Sequence, residues 1–314
     1  MKILEKANAL LKKGELVSIP TETVYGLAAD ASNPDAVRKI FSTKGRPSGH
    51  PLIIHVSSIE KAKEFCFWTP KAQLLAQDFW PGPLALILQK KPHVLDEVTG
   101  GLQSVGIRVP NHPLTLELLN LFGGALAAPS ANRFGHVSPT TATHVQEEFD
   151  HEIFVLDGGP CTIGVESSIV DLYAGPSLLR PGAISKEEIE KRIGPLGTSF
   201  TPTSGTLKAH YAPQTALIVC DNPQEKAQIL RAQGKKVAII QETSNAEYAK
   251  KLYAELRRLD KEEHDVLIVQ RAAADYLGIA INDRLTRAAY GANLSSYNSP
   301  HNSPHNSSHK GNKS

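Results

Sequence analysis

The sequence predicts an α/β protein built of two units. Three observations carry this. Short apolar runs alternate with helix-period stretches throughout. The chain has 314 residues, long for one core and natural for two. Residues 194–213 are rich in Gly, Pro, Thr and Ser, lack hydrophobic periodicity, and divide the chain.

Ile3, Leu4, Ala7, Leu10 and Leu11 repeat at helical spacing, and Gly14 ends that helix. Residues 16–20 read as a short buried strand. It empties into Thr21-Glu22-Thr23-Val24-Tyr25-Gly26-Leu27, whose hydroxyls, carboxylate and phenol either line a pocket at a strand end or form a capped turn. Asn33-Pro34 starts a helix through Val37, Ile40 and Phe41, which delivers the chain to Lys44-Gly45-Arg46-Pro47. Two cations one residue apart, held by Gly and Pro, can offer a point charge and a planar fork to one polyanion, or make a solvated turn.

The strand at 52–56 alternates so that His55 faces opposite to Ile54. A helix from Thr69-Pro70 stops at Trp80-Pro81-Gly82-Pro83, and a strand follows at 84–89. Arg108 interrupts the apolar strand 105–110, and a buried Arg needs an anionic partner, from the protein or from a ligand. After a helix near 114–121 comes a strand of small residues, Ala125 to Pro129, which lets another group approach its backbone. Ser138-Pro139 reads as the cap and first turn of a helix, a feature that serves capping or phosphate. Strands at 153–156 and 166–171, the isolated Arg180, and a helix over 185–193 complete the first unit.

The segment 194–213 ends in His210-Tyr211-Ala212-Pro213, an incidental aromatic pair or a lid over a site. Beyond it, strands at 215–220, 236–240 and 265–270 alternate with helices at 224–233, 246–259 and 276–289. That pattern predicts a small parallel α/β unit, and it carries no Gly-x-Gly-x-x-Gly loop. From about Ser295 the chain is Asn, Ser, Pro and His, including His301, His305 and His309, and reads as disordered.

Hydrophobic content of 41% and charged content of 21% describe a globular chain. A net charge of +2 gives little support to general nucleic-acid binding, so any anion site is local. Cys66, Cys161 and Cys220 lie far apart with no C-x-x-C pair, against structural zinc or a disulfide framework. The N-terminus begins an amphipathic helix rather than a signal peptide, and no apolar run approaches the roughly 20 residues that span a bilayer. The expectation is a cytoplasmic protein with no membrane contact. Taken from the residues alone, Lys44, Arg46, Arg108, Arg180 and the hydroxyl-rich loops imply a pocket for a phosphorylated or carboxylated small molecule.

Residues 20–27 (PTETVYGL), 44–47 (KGRP) with 50–52 (HPL), 129–132 (PSAN) with 138–140 (SPT), 166–171 (ESSIVD) and 179–182 (LRPG) occur in this order. Together they resemble the YrdC-type threonylcarbamoyl-AMP synthases, over about residues 1–200, and the remainder resembles the longer, two-domain branch. The resemblance implies a twisted mixed sheet with helices around a central pocket, plus a small Rossmann-like parallel α/β domain. Its boundaries would be 1–195 for the catalytic domain, 196–213 for the linker or lid, 214–293 for the C-terminal domain and 294–314 for the tail.

That family makes threonylcarbamoyl-AMP and pyrophosphate from L-threonine, bicarbonate or CO2, and ATP. Partner enzymes then transfer the threonylcarbamoyl group to tRNA beside the anticodon. By resemblance, Thr23, His55, Arg108 and Ser168, with the backbone of Ala128, would hold threonine. Lys44, Arg46, His50, Ser104, Ser130, Asn132, Ser138 and Arg180 would surround ATP, with Tyr211 closing over it. Lys44 and Arg46, with a magnesium ion that arrives with ATP, would neutralise the phosphates, and no protein side chain would ligate metal. Phe134 stands where many relatives carry a small residue. Two other readings compete: a non-catalytic RNA-binding protein of the same fold, disfavoured by near-neutral charge, and a carbamoyl transferase for metal-centre maturation, whose zinc-binding cysteine pairs this chain lacks.

Overall fold

In the computed structural model, which describes residues 2–199, 201–203, 205 and 207–297, two sheets organise the chain. The larger holds β1 (Val17–Ile19), β2 (Gly26–Asp30), β3 (Ile53–His55), β4 (Leu84–Gln89), β5 (Ser104–Arg108), β6 (Leu126–Ala127), β7 (Phe154–Val155), β8 (Ser168–Asp171) and β9 (Ser177–Arg180). Their spatial order is β7-β1-β2-β6-β3-β5-β4-β8-β9. Pairs β1–β7, β3–β5 and β4–β8 are parallel and the rest antiparallel, so the sheet is mixed, as the resemblance implies. The smaller sheet, β10 (Ala216–Cys220), β12 (Val266–Gln270) and β11 (Val237–Ile240) in that order, is wholly parallel.

The pleat decides which residues reach the site. In the two neighbouring central strands β3 and β5, Ile54 and Ile107 are fully buried in the main core, while His55 and Arg108 point to the opposite face. Full burial of each such Ile contributes roughly 1.5–3 kcal/mol. The buried layer therefore fixes the register that presents His55 and Arg108 side by side.

Three expectations need correction. Gly26–Asp30 is a strand, missed because Gly-Leu-Ala-Ala-Asp has neither β-branched residues nor alternation. No helix starts at Ser138. The helix there is Ala142–Glu148, capped by Thr141, whose hydroxyl accepts from the His144 N–H. The final helix runs Tyr276–Tyr297, so the first residues of the expected tail are helical, and residues 298–314, with His301, His305 and His309, lie outside the described residues.

The C-terminal unit packs against the larger sheet unit rather than standing apart. One apolar cluster joins Val24, Val137 and Val165 of the first unit, Tyr211 of the linker, and Leu252, Tyr253, Leu256, Ile281 and Leu285 of the second. The linker is pinned along the sheet edge, where Ser199 and Thr201 hydroxyls donate to Asp171 at 2.7 and 2.5 Å. It is pinned again where the Ala212 N–H donates to the Gly135 carbonyl at 2.8 Å. Between those anchors it crosses above the face that carries His55 and Arg108. Among the described residues no helix is long and apolar enough to cross a membrane.

Candidate functional site

A pocket with about 590 Å³ of atom-free space, counting its open mouth, lies between the sheet and the linker. Ile53, His55 and Arg108 form its floor, and Thr21, Thr23 and Val24 one wall. Ala128, Pro129 and Ser130 form another wall, with Arg46, Glu166, Ser167 and Arg180 facing them. Gly205, His210 and Tyr211 of the linker make the roof.

At one end, Arg108 is almost fully buried. Its Nε donates to the Gly82 carbonyl at 3.2 Å and its Nη1 to Thr23 Oγ1 at 3.0 Å. Its Nη2 lies 2.8 Å from a carboxylate oxygen of Glu22, also buried. The protein thus supplies one anion beside the buried Arg. Next to it in register, His55 is pushed down to about 3 by burial and then by the Arg108 charge, so its imidazole is neutral at physiological pH. Thr21 Oγ1 caps the loop, accepting from the Thr23 and Val24 N–H groups at 3.1 and 3.2 Å.

The other end is cationic. Asn33 caps the helix Pro34–Lys44, and Gly45 closes it in the left-handed region at φ 61°, turning Arg46 back toward the pocket. The Arg46 Nη2 donates to the Pro51 carbonyl at 3.1 Å, its guanidinium lies 5.8 Å from the Phe134 ring centroid, and burial lowers it to about 10. Arg180 donates from Nε to the Ser167 carbonyl at 3.0 Å and from Nη2 to Ser167 Oγ at 3.1 Å. Tyr211 is buried at φ 61°, an uncommon conformation for a bulky residue, and stacks on Tyr253 at 5.8 Å.

Of the residues singled out in the sequence, the pocket brings together Thr23, His55, Arg108 and Ala128 with Arg46, Ser130, Arg180 and Tyr211. His50 lines an adjoining cavity with Phe134 and His210, which shares Arg46, Gly205 and His210 with the main pocket. Ser104 lines a smaller one under Pro202 and Thr203.

Four others stand behind the wall. Lys44 points into the protein, and its Nζ donates to the carbonyls of Ser130, at 2.6 Å, and Asn132. The Asn132 amide donates to the Arg133 and His136 carbonyls, which shapes the turn. Ser138 Oγ donates to Glu166 at 2.6 Å, replacing the helix cap the sequence suggested. Ser168 Oγ donates to the Ile184 carbonyl at 2.7 Å; it is the preceding residue, Ser167, that lines the pocket.

The sequence reading gave no role to Glu166, Ser167 and Arg284, and noted Glu22 and His210 only as members of a possible pocket loop and a possible lid. Glu22 and Glu166 sit inside the quoted motifs, and an acid beside a buried Arg is the signal that could have found them. Arg284 has no local signal, since it lies in a weakly amphipathic helix more than 100 residues from Glu166. Glu166 accepts from Ser138, Tyr253 and Arg284. Burial works against its charge, but Arg284, Arg180 and those hydrogen bonds outweigh it and hold the carboxyl below its ordinary range.

Residues 9–182 match the Sua5_yciO_yrdC family, described as "Telomere recombination". Residues 184–290 match the family described as "Threonylcarbamoyl-AMP synthase, C-terminal domain". The threonylcarbamoyl-AMP synthase of Bacillus subtilis is 41% identical over 92% of this chain and 93% of its own length. The chain belongs to the threonylcarbamoyl-AMP synthase family. A Pyrococcus abyssi member is 39% identical over 90% of this chain and 93% of its own. The crystal structure of P. abyssi Sua5 complexed with L-threonine is similar at a TM-score of 0.86, with 39% identity, covering 92% of this chain and 94% of that one. Escherichia coli YciO, at 18% identity and a TM-score of 0.53 over 60% of this chain, shares the fold alone.

Proposed function

We propose that this chain condenses L-threonine, bicarbonate or CO2, and ATP into threonylcarbamoyl-AMP, releasing pyrophosphate, and supplies enzymes that modify tRNA beside the anticodon. The observation that carries the proposal is the division of one pocket into two electrical halves. The Arg108–Glu22 pair is close to neutral as a unit, which suits a zwitterionic amino acid. The Arg46 and Arg180 end is cationic, which suits a polyphosphate.

In this reading the threonine carboxylate takes the Arg108 fork, with Thr23, neutral His55 and the Ala128 backbone around the rest of the molecule. Ser167, which lines the pocket, takes the place the sequence suggested for Ser168. The amine is carboxylated, and a carbamate oxygen attacks the α-phosphorus of ATP. The new P–O bond forms as the bond to pyrophosphate breaks. No side chain needs to become covalently attached.

Arg46 and Arg180 meet the charge that builds on the phosphates. Lys44 uses two of its three donors on carbonyls, and the carboxylate that acts on it, Glu148, does so only through space. A buried ammonium in that state is short of an anion, and a phosphate oxygen at the Ser130–Asn132 turn supplies one. His50 and Phe134 border the side cavity where the nucleoside extends, and Ser104 and Ser138 support its surroundings. Magnesium enters as part of MgATP. The described residues hold no cluster of three His, Cys, Asp or Glu, and the pocket's own carboxylate, Glu166, is engaged by Ser138, Tyr253 and Arg284.

The test is pyrophosphate release in ATP, magnesium and bicarbonate with each amino acid in turn. Threonine-dependent release supports the reading. Release without added amino acid, or equal release with all of them, overturns it.

A further inference from the structure

We infer that Arg284, on the helix Tyr276–Tyr297 of the C-terminal unit, is a positioning residue for the polyphosphate end of the pocket: it neutralises Glu166 from behind and braces the Tyr211 roof. The inference rests on the proposed function for the identity of the anion as ATP. Arg284 is wholly buried. Its Nε donates to Glu166 Oε2 at 3.0 Å, its Nη2 to the Glu166 backbone carbonyl at 3.2 Å, and its Nη1 to the Pro181 carbonyl at 2.7 Å. Its guanidinium lies 5.7 Å from the centroid of the Tyr211 ring. Tyr253, from the same unit, donates to Glu166 Oε2 at 3.0 Å and stacks on Tyr211.

Glu166 lines the pocket on the same side as Arg180 and Tyr211. A carboxylate there, left uncompensated, would repel a triphosphate across a low-dielectric space, where Coulomb forces are poorly screened. The first unit offers it the Ser138 hydroxyl and, at longer range, the Arg180 charge. Arg180 is the cation needed for the ligand itself. The second unit contributes a separate cation, which shares the Glu166 charge with Arg180. Asp283 also touches Arg284, but Asp283 is paired with Arg287 at 2.8 Å, which leaves Arg284 to serve Glu166. The docked C-terminal unit thereby sets the charge of a pocket that it does not line.

The role separates from simple packing by a rescue. Binding of ATP with magnesium to the full chain is measured by calorimetry, alongside threonine binding and thermal melting, for Arg284→Met, Glu166→Gln and the double variant. Arg284→Met should weaken ATP about tenfold or more while threonine affinity stays within about threefold. Adding Glu166→Gln should bring ATP affinity back to within about threefold of the parent. Glu166→Gln alone should bind ATP at least as tightly as the parent, and this arm decides the matter should Arg284→Met fail to fold. Unchanged ATP affinity in Arg284→Met, no recovery in the double variant, or weakened ATP binding in Glu166→Gln overturns the inference. Because binding is read without turnover, a chain that binds ATP but makes no threonylcarbamoyl-AMP would refute the proposed function and leave this result intact.

Discussion

Replacing Lys44 by Met removes a charge while nearly keeping the side chain's volume, and the structure separates its effects on stability and on turnover. In the folded chain the Lys44 ammonium is buried on the Ser130 and Asn132 carbonyls, with no ion-pair partner among the described residues. Burial and then the Arg46 charge lower its pKa well below 10.5, with Glu148 acting weakly the other way. Losing two charge-assisted hydrogen bonds costs about 1.5–3 kcal/mol each. Relieving a buried, unpaired ammonium returns several kcal/mol. The two nearly cancel, so thermal stability should change by no more than about 2 kcal/mol. Turnover has no such compensation: loss of one preorganised donor to a developing charge costs about 2–4 kcal/mol, or about 30- to 1,000-fold in kcat/KM. The assay is threonine-dependent pyrophosphate release beside a melting curve. A Lys44→Met chain that turns over at near-parental rate refutes the assignment, and one that simply unfolds refutes the energetic argument. The parent's ATP affinity should also fall as pH rises through the depressed lysine pKa, where binding must take up a proton, and Lys44→Met should lose that dependence.

Three further outcomes follow from the same geometry. Arg108→Ala strands the buried Glu22 carboxylate and should cost about 3–5 kcal/mol of stability; adding Glu22→Gln should restore most of the melting temperature but not threonine binding, and restored threonine binding would contradict the Arg108 role. His55 and His210 are both held near 3 by burial, below their ordinary 6.5. The unfolded chain therefore binds more protons than the folded one between these values, and their contribution, complete above about 6.5, is lost as pH falls. Melting temperature should thus decline between pH 6.5 and 5, and a flat profile there would count against their burial. Gly164 sits at φ 89°, and a Cβ there would come within 2.3 Å of the Ala249 carbonyl on the helix Asn245–Asp260. Gly164→Ala should cost about 2–4 kcal/mol and make the linker easier to cleave by limited proteolysis; unchanged protease resistance would show that the contact is not what docks the C-terminal unit.

Much of this was legible in the sequence because local rules and packing agree. Period-two alternation set His55 opposite Ile54 in one strand, and a lone Arg in an apolar run marked Arg108 in its neighbour. Asn33-Pro34 marked the start of the helix by capping chemistry alone, while its end at Lys44, closed by Gly45, was read as loop. Where the reading failed, contacts between distant segments decided. Ser138 looks like a cap until Glu166, 28 residues on, takes its hydroxyl. Lys44 looks like a loop cation until the Ser130–Asn132 turn folds over it. Arg284 and Tyr253 look like ordinary helical residues, and only the docking of two units, written in no local pattern, brings them to Glu166.

In the proposed reaction one pocket joins an amino acid, through a carbonyl from bicarbonate, to the α-phosphate of ATP. Mass spectrometry of the product formed with 13C-bicarbonate tests it most directly. The product should be a threonine-containing adenylate carrying one 13C carbonyl, formed together with pyrophosphate. An adenylate of threonine without the label, or label incorporation that does not require threonine, would contradict it.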